Sequence, residues 1–325
     1  MPTAPRLSVA SAPDLLAAIP YLFGFHPTHC AVVVAVRSGN VHFALRHDVP
    51  HPDPGALAAL VVERGADGAF VLGYGSEDEI GPAVSALAEA LRGAGLPVLA
   101  TLRVDAGRYW SLERHDPGCH PPEGRPFDIP STTIAASATF HGLAPRRDRE
   151  TLVAEFAPVT GPERAAMHQA TVRAEHRIEA LGRRARTSAR LRRSVLRAGV
   201  SAIQAARRRH RSGERLTDDQ VAWLSMLLVS PAVLTYAWEG LLDEDLSLWT
   251  DVVRRAQSDY VCAPACLLSF ASWQRGLGVE ARAALDRSWS VDPEHRMTKL
   301  LDQVLNRGVP PTALPPTAKP RGRAA

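Results

Sequence analysis

Lysine is almost missing from this chain: of 38 basic residues only Lys299 and Lys319 are not arginine. Cysteine is scarce too, with four in 325 residues at positions 30, 119, 262 and 266. That density and irregular spacing exclude a disulfide-stapled secreted fold and fit a reducing compartment. Long apolar runs are lacking: none exceeds the length of Cys30 to Val36, which is far too short to cross a bilayer. The start, Met1 to Pro13, has no basic segment followed by an apolar core, so no leader is read there. These absences point to a cytoplasmic protein with no membrane partner. Also missing are a nucleophile elbow, a His-Glu-x-x-His helix, paired Cys-x-x-Cys units, a phosphate-binding P-loop and a dinucleotide fingerprint. No catalytic residue is assigned, no cofactor can be named, and no metal site is assigned.

What is present suffices for two folded cores, since 46% of the residues are apolar. The first 145 residues alternate strand and helix patterns. A capped start at Ser11 or Asp14 opens a short helix, Leu15 to Tyr21, and a loop through His26 leads to the β-branched run Ala31 to Val36. Arg37-Ser38-Gly39-Asn40 carries turn residues before the alternating run Val41 to Val49, which predicts a hairpin. A helix at 55–64, a strand at 69–72, a helix at 77–92 and a strand at 98–104 then predict parallel crossovers. The fold class is therefore an α/β N-terminal domain, a mixed sheet with a hairpin and parallel crossovers, followed by an all-α C-terminal domain. Residues 108–130 lose periodicity, and Thr132 to Phe140 reads as a last strand.

From residue 146 to 307 only helical patterns occur, with one helix starting at Pro264. Ala271, Gly276, Ala281, Ala284, Leu285 and Asp292-Pro293 place small and stop residues as a tetratricopeptide-like helix hairpin does. Residues 308–325, with five prolines and no apolar period, are read as a disordered tail.

Three groups of side chains are candidates for function. His26 and His29, with His42, His47, His51 and Asp48, raise the question of a metal site, but a loop-fixing role for His26 is the simpler reading. Arg46 and Asp48 share a strand face, as an ion pair or as a clamp for an anion. Gly73-Tyr74-Gly75-Ser76 ends one strand, and Arg108, Trp110 and Ser111 follow the next. Loops at strand carboxyl ends form ligand crevices in such sheets, so Tyr74, Arg108, Trp110 and Ser111 mark a candidate pocket.

The strongest compositional signal lies between Leu181 and Arg215, where twelve arginines face a single acid, Glu214. Arg190, Arg192, Arg193, Arg207, Arg208 and Arg209 are the candidates for salt-sensitive, sequence-independent nucleic-acid binding. No aromatic lies in the stretch, so stacking on single-stranded bases is not expected. A solvated helical face is the plainer reading.

Four ordered segments together resemble a known family: Leu15 through Pro27, Arg46-His47-Asp48-Val49-Pro50, Gly107-Arg108-Tyr109-Trp110-Ser111 and Cys119-His120-Pro121-Pro122-Glu123-Gly124. The set is similar to the actinobacterial family known as domain of unknown function 4192, and Pro264 to Pro310 extends the resemblance. The family pattern has a cysteine after the Trp-Ser pair and a Cys-Cys-Pro further on. This chain has Arg114 or a neighbour at the first place and Cys119-His120 at the second. The resemblance implies no activity. The residues favour a non-enzymatic binding or scaffold protein, with a small anionic ligand in the α/β domain and protein contacts through the C-terminal helices. An enzyme acting on a small anionic substrate at the crevice is the alternative.

Overall fold

The computed structural model describes residues 11–49, 53–113, 121–140, 144–241 and 245–313. Arg114, Cys119, His120, His51 and most of the tail read from the sequence lie outside the described residues. The chain divides into two compact units between Arg149 and Glu150.

The first unit opens with α1 (Ala12–Phe23), where the Ser11 hydroxyl caps the Asp14 N–H and Gly24, at φ 77°, ends the helix. Strands β1 (Cys30–Arg37) and β2 (Asn40–Asp48) form the expected antiparallel hairpin. Then come α2 (Pro54–Glu63), β3 (Gly68–Tyr74), α3 (Glu77–Gly93) and β4 (Val98–Asp105). The stretch that lacked periodicity supplies two further strands, β5 (Arg108–Ser111) and β6 (Arg125–Pro126). The sheet order is β2-β1-β3-β4-β5-β6, with β3 and β4 parallel and the other neighbours antiparallel.

Strand alternation explains the core. Ala31, Val33 and Ala35 of β1 join Leu57 and Val61 of α2 and Ile80, Val84 and Leu87 of α3 in one cluster. Cys30, Val32 and Val34, on the other face, are equally buried, which is why β1 is apolar throughout. Gly73 lets α3 lie close on β3: a Cβ there would fall 2.0 Å from the Ile80 side chain.

Residues 132–140 are helical, not the strand read from their pattern: α4 covers Thr133–Phe140. The Thr132 hydroxyl accepts the Ala135 N–H at 3.2 Å and donates to the Ile129 carbonyl at 2.8 Å. A capping hydroxyl and small residues that suit either period outweigh the β-branched content.

The second unit is helical throughout its described part: α5 (Arg149–Ala154), α6 (Gly161–Arg184), α7 (Ser188–Arg211), α8 (Asp218–Leu227), α9 (Pro231–Glu239), α10 (Leu246–Arg255), α11 (Ser258–Gln274), α12 (Gly278–Trp289) and α13 (Arg296–Asn306). A reciprocal Thr217/Gln220 capping box starts α8, which is buried from Val221 through Leu227, the pattern of a helix wrapped by its neighbours. Helix α11 begins six residues before the start read at Pro264 and carries that proline inside it. Burial of nearly every residue from Val261 to Trp273 offsets the roughly 3 kcal/mol that an interior proline costs. Cys266, Phe270 and Trp273 pack against Ala281 and Leu285 of α12 and Leu301 of α13. The segment read as tail is ordered in its first part: Val309 joins this cluster and its carbonyl accepts the Trp273 indole N–H at 2.8 Å. A 3₁₀ turn follows at Pro311–Ala313. Among the described residues no single helix is long and apolar enough to cross a membrane.

Candidate functional site

Strand register sorts the candidates of the first unit onto two sides of the sheet. Asp48, Cys30 and Tyr74 are paired in one row across β2, β1 and β3, and Val104 and Tyr109 continue it. Arg46 sits in the next row on the same face, opposite Val32. Arg103 and Trp110 form a row on the other face. Tyr74 and Trp110 therefore do not line a common pocket, contrary to the sequence reading, because adjacent rows point to opposite sides. Ser111, paired with Leu102, shares the face of Tyr74 one row further from the edge.

Arg108 and Trp110 are engaged with a neighbouring loop. The Arg108 guanidinium donates to the carbonyls of Glu123 at 2.6 Å and Gly124 at 2.9 Å, and the Trp110 indole donates to the Pro122 carbonyl at 2.8 Å. Gly124 is required there, at φ 75° with a hypothetical Cβ only 2.4 Å from the Trp110 ring. The functional reading of these two side chains gives way to a structural one, in which they fasten residues 121–124 to β5. On the ring's other contact lies Arg103, its guanidinium 3.6 Å from the Trp110 centroid. Arg103 is 8% exposed and was not singled out from the sequence, where an arginine between Leu102 and Val104 on a buried strand was the available sign.

The opposite face carries a different arrangement. Arg46 reaches Asp48 with an ion pair at 2.8 Å, its own side chain 15% exposed and that of Asp48 84% exposed. The ion pair is the structural role considered for these two residues. The guanidinium charge also acts on the Cys30 thiol, favouring its ionised form. Burial nevertheless dominates at that thiol and pushes it up to about 11, with the Arg46 charge opposing. The Tyr74 phenol is pushed up as well, by burial first and by Cys30 second. Two donors in this cluster, Arg46 Nε and Tyr74 Oη, are buried without a hydrogen-bond partner among the described residues. Cys30 joined no candidate list, since its position at the head of an apolar run marked it only as core.

His26 lies in the loop that leads to this edge. Its backbone N–H donates to the Arg146 carbonyl at 3.0 Å, and burial lowers its imidazole below the ordinary value. His29 pairs instead with Glu79 at 2.7 Å on the surface. Among the described residues no three His, Cys, Asp or Glu side chains converge as metal ligands do.

The arginine-rich helix α7 divides in the same way. Arg207 forms an ion pair with Asp245 at 2.8 Å, its own side chain 12% exposed and that of Asp245 3%, and the pair's alignment falls short of a hydrogen bond. Arg209 pairs with Glu214 at 2.8 Å and donates to the Arg215 carbonyl at 3.2 Å. These two belong to the fold and leave the nucleic-acid set proposed from sequence. Arg190, Arg192, Arg193 and Arg208 are exposed. Buried Arg255, also not singled out, donates to the Leu216 carbonyl and to Asp251, each at 2.8 Å, and to Asp218.

A family model described as a domain of unknown function matches residues 13–312. The chain belongs to the DUF4192 family. No curated protein and no solved structure matches it. The resemblance seen in four separate segments thus extends over both units, with the arginine-rich helices inside the DUF4192 match. In space, the third and fourth segments meet: the bonds from Arg108 and Trp110 run to Pro122, Glu123 and Gly124.

Proposed function

We propose that the α/β unit of this DUF4192 protein is a non-catalytic binding domain that holds a small anionic group at the end of the sheet where β2 and β3 finish, beside Arg46 and Tyr74. The observation that carries this reading is the pair of buried donors, Arg46 Nε and Tyr74 Oη, left without partners on one face. An unpaired buried donor costs roughly 1–3 kcal/mol, and a carboxylate or phosphoryl oxygen accepting from both would recover it. Binding is favoured over turnover because neither nearby acid ionises readily: burial holds Cys30 and Tyr74 protonated at neutral pH.

The test is a thermal-shift series on the whole protein with inorganic phosphate, sulfate and small carboxylates. An anion present at a hundred times its dissociation constant adds about 2.7 kcal/mol. A shift in the wild type that is lost in Arg46→Met and in Tyr74→Phe supports the reading. A shift kept by both variants, or no shift with any of the anions, refutes it.

A further inference from the structure

We propose that the tip of the α6–α7 hairpin docks on the phosphate backbone of double-stranded nucleic acid, independently of base sequence. Ala174 is the last buried residue of α6 and Gly199 the first of α7. None of the residues between them is buried. At 1.5 Å per residue the two helices carry this uncovered stretch for about 15 Å each. It therefore contributes little to the core, and its composition is free to serve something else.

Several arginines elsewhere in the same unit are held by acids. Arg173, Arg207, Arg209, Arg215 and Arg255 each meet a carboxylate. At the tip, Arg184, Arg186, Arg190, Arg192, Arg193 and Arg197 are exposed, and no carboxylate partner is found for any of them among the described residues. Among the described residues Arg193 contacts the Ala189 carbonyl of its own helix, and of the tip arginines Arg183 pairs with an acid, Glu179, at 3.5 Å. Six uncompensated guanidiniums on two adjacent helix ends are a polyanion-binding charge density.

The rest of the surface selects the polyanion. The large apolar side chains that are exposed, such as Phe140, Val229 and Leu300, all lie outside the tip, so it has no anchor for a lipid interior or an apolar groove. No aromatic residue lies between Leu181 and Arg215, so single strands gain no base stacking. Regularly spaced duplex phosphates remain, and contacts to phosphate carry no base information.

Six phosphate contacts imply a slope of log affinity against log salt near −5, or about a thousandfold loss between roughly 50 and 200 mM salt. The experiment uses the full chain and fluorescence anisotropy with a labelled duplex of scrambled sequence, the matching single strand, and phosphatidylserine-containing vesicles. The expected result is duplex binding with that slope, reduced to about half in Arg190→Gln/Arg192→Gln/Arg193→Gln and kept in the triple Lys variant. Arg254→Gln, an exposed arginine off the tip, should bind as the wild type does. Because the altered side chains are unburied, the circular dichroism melt of the triple Gln variant should match the wild type. Absence of duplex binding at low salt, a slope unchanged by the triple Gln substitution, or tighter binding to vesicles or single strand than to duplex would each overturn the proposal.

Discussion

Replacing Tyr74 by phenylalanine removes one oxygen from the carboxyl end of β3 and should make the free protein more stable while making it unable to respond to its ligand. Tyr74 is 8% exposed, and its hydroxyl is buried without a hydrogen-bond partner among the described residues. Such a group costs about 1–3 kcal/mol that a ring hydrogen does not. In a unit of this size each kcal/mol moves the melting midpoint by about 2–4 °C, so Tyr74→Phe should raise the α/β transition by at least about 2 °C in scanning calorimetry without added anion. With saturating anion the gap should close or reverse, since the wild type gains about 2.7 kcal/mol at a hundredfold excess over its dissociation constant and the variant gains none. A free Tyr74→Phe protein that melts below the wild type would refute the reasoning, because it would mean that the hydroxyl already makes a bond worth keeping.

Other outcomes follow from the same geometry. Arg207→Met removes the ion pair to Asp245, whose side chain is 3% exposed. It should destabilise the helical unit by about 3–5 kcal/mol in urea unfolding, whereas Arg208→Met, at an exposed position, should change it by less than about 0.5 kcal/mol. Gly124→Ala places a Cβ 2.4 Å from the Trp110 ring at φ 75°, and should cost about 1–3 kcal/mol by the same measurement. Because burial raises Cys30 from its ordinary 9.0 to about 11, the folded state keeps a proton that the unfolded chain sheds. The stability this provides is complete below pH 9 and falls as pH rises to about 11. Cys30→Ala should show a shallower alkaline loss in a pH series of melts.

Most of the sheet was legible because its signals are local. Alternation in Val41 to Val49 and the continuous apolar run before it gave the hairpin, and the alternation of helix and strand patterns from 55 to 104 gave the crossovers. The face of each β2 residue was legible too: Phe43 and Leu45 pack on the core cluster while Arg46 turns to the other side. Lateral pairing was not legible. Nothing in the local pattern of Asp105 to Ser111 says that β5 turns back antiparallel on β4, and that turn sends Trp110 away from Tyr74. The Cys30–Arg46–Tyr74 group is likewise assembled by pairing among three strands, from residues that look individually like core, ion pair and turn. In the helical unit the charge count was visible, but which arginines meet carboxylates depends on contacts as distant as Arg207 to Asp245 and Arg215 to Glu163. Composition alone merged the arginines that hold the fold with those that do not.

One contact in the first unit bears on how the protein is made. Phe25 and Arg146 form a parallel bridge, in which Arg146 donates to the Gly24 carbonyl at 2.7 Å and its own carbonyl receives the His26 N–H at 3.0 Å. The segment that leads into the central strand is thus closed by residues near the end of the unit. During synthesis at about 5–20 residues per second, the loop around His26 waits about 6–24 s before its partner has been made. Until then the sheet can form its hairpin but not its completed edge, and a nascent chain released before Arg146 would carry Arg46 and Tyr74 without the strap that fixes the loop beside them.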